Sequence, residues 1–171
     1  MWELYTVWVL VPLILATRLD GAALSAAAFA VLGAGVVGCV GGGWWAQRAG
    51  SARVAAAQLA TSGACCLAAA VMLDAPAWLF YAWLVLWGTT VSGDSPQFSA
   101  LTAANAPRHA VGSVLTLANS IGFAISVVSI ELHVWLVAQR GVPMAQVLPW
   151  LAIGPALGLW MLRGLWRRAS A

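Results

Sequence analysis

The sequence contains no lysine, and only 8% of its 171 residues are charged. Its eight basic residues are all arginines, and they are scattered along the chain. A nucleic-acid-binding surface instead clusters its basic residues on one face, so we expect no nucleic-acid partner. The absence of lysine beside abundant alanine, glycine, arginine and tryptophan is typical of a GC-rich bacterial gene.

The sequence also lacks the motifs of common enzymes. It has no H-E-x-x-H, no P-loop and no G-x-S-x-G. Cys39, Cys65 and Cys66 lie inside apolar stretches and show no metal-ligand spacing, so we expect them to pack as small residues. Gly93-Asp94 resembles half of an intramembrane aspartyl site, but a second mid-membrane aspartate is missing. We therefore predict no catalytic residue, no metal and no cofactor.

Apolar residues are what the chain has in excess, at 63% hydrophobic. A helix that crosses a bilayer needs about 20 mostly apolar residues, and the sequence has six long apolar stretches separated by short polar breaks. We predict an all-α polytopic membrane protein, in which residues 1-171 form a single domain of six transmembrane helices. The predicted spans lie at residues 2-17, 22-40, 54-73, 77-105, 111-138 and 147-165.

The arginines predict the orientation of these spans. An even number of spans places both termini on one side, and the positive-inside rule assigns the arginine-rich side to the cytoplasm. We therefore expect both termini to be cytoplasmic, in the inner (plasma) membrane of a bacterium, with tryptophans near the span ends at the interface. Six arginines lie on the side of the termini and two on the other: Arg48, Arg53, Arg108, Arg163, Arg167 and Arg168, against Arg18 and Arg140.

The N-terminal residues run almost directly into the first apolar stretch, without the basic region of a cleavable signal peptide. That first span is barely long enough to cross the membrane before Arg18. We expect that the chain begins inside a longer protein.

Polar residues divide the spans into a 3+3 pattern, which is typical of transporters built from internal repeats. Span six is almost purely apolar, as suits a lipid-facing rim, whereas spans one and four carry polar residues that suit a cavity. These are Glu3, Tyr5 and Thr6 in span one, and Thr89, Thr90, Ser92, Asp94 and Gln97 in span four.

Asp94 is the sharpest candidate for function. It lies a few residues from the midpoint of the fourth span, where a carboxylate costs several kcal/mol unless it faces water, a partner or a proton. Pro96 frees a backbone carbonyl nearby, and Gln97 shares the helix face of Asp94. We predict that Asp94 and Gln97 bind substrate and that Asp94 also couples a proton. Alternatively, span four ends near Val91 and Asp94 caps a cytoplasmic helix.

The fifth span contributes further candidates. Asn119 lies at a depth similar to that of Asp94 because the two helices run in opposite directions, and it either binds substrate or joins helices by hydrogen bonds. Glu131 and His133 lie toward the outer end, as a proton relay or gate, or as interfacial residues that water reaches. In the second span, Ala34, Gly38 and Gly42 recur every four residues, a pattern that lets helices approach closely.

The stretch after the second span, residues 43–53, reads G-W-W-A-Q-R-A-G-S-A-R, and we predict a polar loop at residues 46–53. It resembles the G-x-x-x-D-R-x-G-x-x-R cytoplasmic loop of the major facilitator superfamily (MFS). Gly43, Arg48, Gly50 and Arg53 match, whereas Gln47 stands where the acidic residue is expected, as in the weaker copy of the second half. Residues 94–99 and 112–125 look like the tenth and eleventh helices of bacterial members.

The resemblance implies that the chain is the C-terminal six-helix half of a twelve-helix transporter. In that family the first and fourth helices of each half line the cavity, so Tyr5, Trp8, Asp94 and Gln97 would face substrate. Spans two and five would meet an N-terminal six-helix half or a second copy. We expect a secondary transporter of a small molecule or ion, in the bilayer. The alternative is a six-helix membrane scaffold or assembly subunit that transports nothing.

Overall fold

The computed structural model describes residues 1–168, with side chains as far as Gly164. Within that range the regular structure is entirely helical, which confirms the all-α prediction. The helices are α1 Leu4–Leu15, α2 Gly21–Gly33, α3 Gly35–Ala49, α4 Ser51–Met72, α5 Ala77–Asn105, α6 Val111–Ala138, α7 Met144–Val147 and α8 Ile153–Arg168, and a 3₁₀ turn at Leu148–Ala152 joins the last two.

Four helical stretches in the described part of the chain are long and apolar enough to cross a membrane. They are Gly21–Ala49, Ser51–Met72, Val111–Ala138 and Met144–Gly164. Helix α1 is apolar but has only 12 residues, and α5 is long but carries a more polar second half. The molecule is therefore built as a membrane protein, while six spans and a 3+3 repeat stay predictions.

Prolines and a glycine set several of the helix boundaries. Helix α5 follows Pro76 and α6 follows the Pro107 turn, so both helices cover the residues of the predicted fourth and fifth spans. The stretch 46–53, predicted as a loop, is instead almost entirely helical. Gly50 alone, with φ of +84°, separates α3 from α4, because a single left-handed glycine suffices to end one helix and start the next.

Helix α5 lies at the centre of the bundle, against α3 and α4. Its first half supplies Phe80, Leu84 and Trp87 to an apolar core that also receives Leu10 and Ile14 of α1. These side chains are excluded from the surface almost completely. The core fixes α1, α4 and α5 relative to one another.

Glycines set the distance between α5 and the second predicted span. A Cβ atom on Gly38 would overlap the carbonyl group of Thr89, and one on Gly88 would overlap the carbonyl oxygen of Val31. A Cβ atom on Gly93 would overlap the side-chain amide of Gln58 and crowd the backbone of Gly38. The close helix approach that the four-residue spacing predicts is therefore confirmed, and it occurs between backbones rather than between side chains.

Helix α6 is packed quite differently. Its buried residues are Gly122, Ser126, Ser129 and His133, all on one stripe. The stripe faces α1, where Thr6 Oγ1 donates a hydrogen bond of 2.8 Å to Ser129 Oγ. The apolar residues of α6 point outward: Leu117, Ile121, Phe123, Val127 and Val128 are all at least half exposed.

Arg18 joins the two turns at one end of the bundle. Its Nη2 donates to the carbonyl oxygens of Leu73, at 2.6 Å, and Ala75, at 2.8 Å. The guanidinium also lies 4.2 Å from the centre of the Phe80 ring. The α1–α2 turn is thereby tied to the α4–α5 turn by charge-assisted hydrogen bonds and a cation–π contact.

Candidate functional site

A cavity of about 280 Å³ lies inside the bundle, at the opposite end of α1 from Arg18. The start of α1, the second half of α5, the first half of α6 and the start of α8 form its walls. Its volume is at the lower end of the ~300–1,000 Å³ typical of small-molecule sites. The polar side chains among its lining residues are Glu3, Asp94, Ser95, Ser99, Thr102 and Asn119.

Asp94 lies on the wall that α5 contributes. Helix α5 continues through Pro96 to Asn105 and does not end near Val91, so the alternative that Asp94 caps a helix end is wrong. The side chain is half-buried, and it reaches the cavity together with Ser95 of the next position. A carboxylate held inside a helix, at a cavity, can bind a cation or accept a proton from a solute.

Glu3 is the cavity residue that sequence reasoning missed as a site. Its side chain is 5% exposed, and three donors hold its carboxylate. Trp87 Nε1 donates to Oε1 at 2.7 Å, Cys66 Sγ to the same oxygen at 3.2 Å, and Ser62 Oγ to Oε2 at 3.1 Å. The N-terminal ammonium of Met1 acts on this carboxylate as a positive charge.

The local structure explains how these donors converge. Ser62 and Cys66 are four residues apart and therefore share the face of α4 that is turned to Glu3. Trp87 comes from the fully buried face of α5. A polar residue at the start of the first apolar stretch is the sequence signal for Glu3, but its partners are 59 to 84 residues away along the chain.

The other predicted substrate residues have different surroundings. Asn119 lines the cavity with Asp94, so the structure brings these two residues together. Gln97 is buried on α5 and does not line the cavity. Tyr5 packs against the rings of Trp8 and Phe123, outside the cavity wall. Contact of Gln97, Tyr5 and Trp8 with substrate stays a prediction.

The predicted gating pair of α6 is separated. Glu131 is exposed, whereas His133 is completely buried and packs edge-on against Trp2. His133 Nδ1 lies 2.7 Å from the carbonyl oxygen of Ser129. A carbonyl can only accept, which assigns the proton to Nδ1. The Nε2 atom has no hydrogen-bond partner among the described residues.

The residues of the family-like motif lie at the junction of α3 and α4. Gly43 is inside α3, where a Cβ atom would meet open space. Arg48 lies in the last turn of α3, with its guanidinium 4.7 Å from the centre of the Trp44 ring. Gly50 forms the break and Arg53 lies in the first turn of α4. The motif is thus a helix–glycine–helix junction rather than a loop.

Comparisons with family models, with curated proteins and with solved structures give no match for this chain. The function is therefore inferred from the residues of the chain and from their geometry. That geometry is a partly open cavity lined by Glu3, Asp94 and the exposed Asn119, in a bundle whose outer surface is largely apolar.

Proposed function

We propose that the chain is one half of a secondary transporter of the MFS type, with a small solute bound in the cavity between α1, α5, α6 and α8. In this proposal six spans in a 3+3 arrangement cross the inner membrane of a bacterium, and both termini are cytoplasmic. An N-terminal six-helix half or a second copy completes the site.

The observation that carries the proposal is that Glu3 and Asp94 both line one cavity. Ionisable residues inside an apolar bundle are costly, and in membrane proteins they mark ion or substrate pathways. A scaffold needs neither the cavity nor two acidic residues in its lining. Asn119 adds a side-chain amide that can donate to and accept from a polar solute.

The polarity of the outer surface supports a membrane location. Helix α6 buries serines and a histidine and exposes valine, leucine and phenylalanine. An apolar surface of that kind is stable in contact with lipid tails or an apolar partner, because its exposure to water costs free energy. Val36, Val37 and Val40 continue the exposed apolar surface on α3. These two helices belong to predicted spans two and five, the pair that the family resemblance assigns to the contact with the other half.

Alternating access in such a pair of halves is a rocking of one half against the other around a fixed midplane site. Asp94 and Asn119 would hold the solute from this half. Protonation of Asp94, or its pairing with a positive charge on the solute, would change the free energy of the solute-bound state. The movement of the solute would thereby be coupled to the rocking of the two halves.

The test is transport in vesicles that carry the protein, alone and together with the product of an adjoining six-helix reading frame. A panel of small solutes is applied, and charge movement is recorded on a solid-supported membrane. We expect at least one solute to give a current that Asp94→Asn removes and Asp74→Asn retains, since Asp74 is exposed in the α4–α5 turn. Absence of any solute-dependent signal in both preparations contradicts the proposal and favours the scaffold.

A second measurement examines the assembly. The protein is extracted in detergent, and the mass of the complex is determined with and without the upstream reading frame. A complex of equal numbers of two six-helix chains, or a homodimer, agrees with the proposal. An aggregation-prone monomer disagrees with it, because the exposed apolar surface of α3 and α6 would then have no protein partner.

A further inference from the structure

The contact between α1 and α6 is a seam of polar side chains that encloses one buried histidine. This α1–α6 seam consists of Trp2 and Thr6 on one side and of Ser126, Ser129 and His133 on the other. We propose that the seam is a latch worked by protons, in which a proton bound at Nε2 of His133 releases α6 from α1. The inference goes beyond the proposed function, because it concerns the bundle without any solute.

The position for the proton is fixed by the hydrogen bond of the other ring nitrogen. His133 Nδ1 lies 2.7 Å from the carbonyl oxygen of Ser129 and donates to it, which leaves Nε2 as the free basic atom. The ring is completely buried, and Nε2 has no hydrogen-bond partner among the described residues. The neighbouring ring of Trp2, 5.7 Å away between centres, offers only an N–H donor, which is itself buried without a partner.

No negative charge in the described part of the chain compensates a proton at this ring. The elements packed against α6 are α1, α5 and α7, and α7 has no titratable residue. The titratable side chains of the others face different surroundings: Glu3 and Tyr5 on α1, Tyr81 and Asp94 on α5, and Glu131, which is exposed, on α6. The N-terminal ammonium of Met1 is positive and acts on Glu3 and Asp94. The Ser129 carbonyl is the group that acts on the ring itself.

Protonation therefore makes the closed seam unfavourable. A protonated imidazole has an N–H on both nitrogens, and the one at Nε2 would be charged, buried and without an acceptor. A cation–π contact with Trp2 offsets only part of that cost. His133 lies five residues before Ala138, the end of α6, or about 7.5 Å along the helix axis, so water is close. Separation of the seam lets water solvate the ring.

Few contacts hold the seam closed. Thr6 Oγ1 donates to Ser129 Oγ at 2.8 Å, and Ser126 Oγ donates to the carbonyl oxygen of Met1 at 3.0 Å. Helix α1 is in addition bound to α4 and α5 through Glu3, whereas most aliphatic side chains of α6 point outward. Release therefore moves α6 away from the other three helices. Because α1 and α6 both contribute to the cavity wall, release also widens the cavity.

The direction of the pH dependence follows from proton binding. The open seam binds one more proton than the closed seam, so the open fraction increases as the pH falls. The increase should begin below about pH 6.5, where a histidine in water becomes protonated.

The first experiment uses the two histidines of the chain. The full chain is labelled with ¹⁵N-histidine, placed in lipid nanodiscs and titrated by NMR from about pH 8 to about pH 5, with a water-soluble paramagnetic agent present. His109, which is exposed in the turn before α6, is the internal reference and should be broadened throughout. His133 should be an Nδ1–H tautomer with a sharp signal at the start, and its signal should be lost as it is protonated.

Two results of this titration would overturn the proposal. A His133 that stays neutral over the whole range binds no proton. A His133 that is protonated while its signal stays sharp binds a proton inside a closed seam. Because no solute is present, either failure leaves the proposed transport standing, and an absence of transport leaves the latch standing.

A crosslink tests whether separation of the seam is required. In Thr6→Cys/Ser129→Cys the two thiols replace hydroxyl oxygens that are 2.8 Å apart, so a disulfide can join α1 to α6. His133 keeps its bond to the Ser129 carbonyl, which is a backbone group. The oxidised protein should lose the protonation of His133 at about pH 5, and the reduced protein, its matched control, should regain it. Equal titration of the two forms would contradict the latch.

Discussion

The two longest helices, α5 and α6, bury opposite kinds of residues. Helix α5 buries tryptophan, phenylalanine and leucine in its first half and approaches α3 at backbone distance. Helix α6 buries a glycine, two serines and a histidine, and exposes its aliphatic side chains. The first is held by close packing as far as Gln97, and the second is attached to α1 through a narrow polar stripe.

The difference indicates which parts of the bundle are complete in this chain. Helix α5 has its neighbours within the chain, so its position is fixed by the fold. Helix α6 presents a wide apolar surface that the described part of the chain does not cover, and lipid or another apolar surface must cover it. The cavity lies between the second half of α5 and the first half of α6.

A matched pair of leucines gives the sharpest form of this comparison. Leu84 of α5 is fully buried, whereas Leu117 of α6 is 63% exposed. Leu84→Ala should destabilise the protein by about 3 kcal/mol because it leaves a cavity in a packed core. Leu117→Ala should change stability by less than about 0.5 kcal/mol. Thermal unfolding in one detergent measures both, and equal losses would show that α6 is as firmly packed as α5.

A pair of glycines on α3 tests whether backbone contact holds α5. A methyl group on Gly38 would overlap the Thr89 carbonyl, whereas one on Gly41 meets open space. Gly38→Ala should cost about 2 kcal/mol through overpacking. Gly41→Ala should be neutral or stabilising by up to about 1 kcal/mol, since alanine favours helix. The same unfolding assay applies. If Gly38→Ala is as stable as Gly41→Ala, the close backbone approach does not contribute to holding α5 in place.

Variants of Glu3 test how strongly the start of α1 is held against α4 and α5. Glu3→Ala leaves the Trp87, Cys66 and Ser62 donors without their acceptor, a loss of about 1–3 kcal/mol for each group that finds no other partner. Removal of a buried charge offsets part of this loss, so we expect a net destabilisation of about 1.5 kcal/mol. Glu3→Gln keeps an acceptor oxygen and should lose less. A Glu3→Ala protein more stable than the parent would mean that desolvation of the carboxylate outweighs its three hydrogen bonds.

The polar stripe of α6 should give the smallest effect. Thr6→Val removes the hydrogen bond to Ser129 while keeping the side-chain volume, and interhelical bonds of this kind contribute about 0.6 kcal/mol in membrane proteins. Thr61→Val is the control, because Thr61 bonds to the carbonyl of Ala57 in its own helix. A loss above that of Gly38→Ala would reverse the ranking of the two helices. Detergent unfolding of the two threonine variants, measured side by side, decides this.

The sequence predicts much of the helical framework. Six apolar segments, their breaks at Pro76 and Pro107, and the small-residue face around Gly38 follow from periodicity and turn chemistry. The stretch 46–53 was mispredicted as a loop because its polarity resembles that of a connection. Polarity does not end a helix, however, and the backbone breaks only at Gly50, where φ becomes positive.

The site is less predictable than the framework. Asp94 and Asn119 could be placed at a common depth because two antiparallel helices bring their midpoints together. The role of Glu3 could not be read from the chain, because Ser62, Cys66 and Trp87 reach it from two other helices. Gln97 shares the helix face of Asp94 in sequence terms, yet it is buried away from the cavity wall.

Arg18 has a mechanical consequence for this asymmetric bundle. Separating the two turns that it joins would break both of its short bonds to the Leu73 and Ala75 carbonyls and its contact with Phe80. The cavity lies at the other end of α1, about 18 Å away for a 12-residue helix. Helix α1 is thus anchored at both ends, by Arg18 here and by the hydrogen bonds of Glu3 at the cavity, and we expect it to move as one piece with α4 and α5.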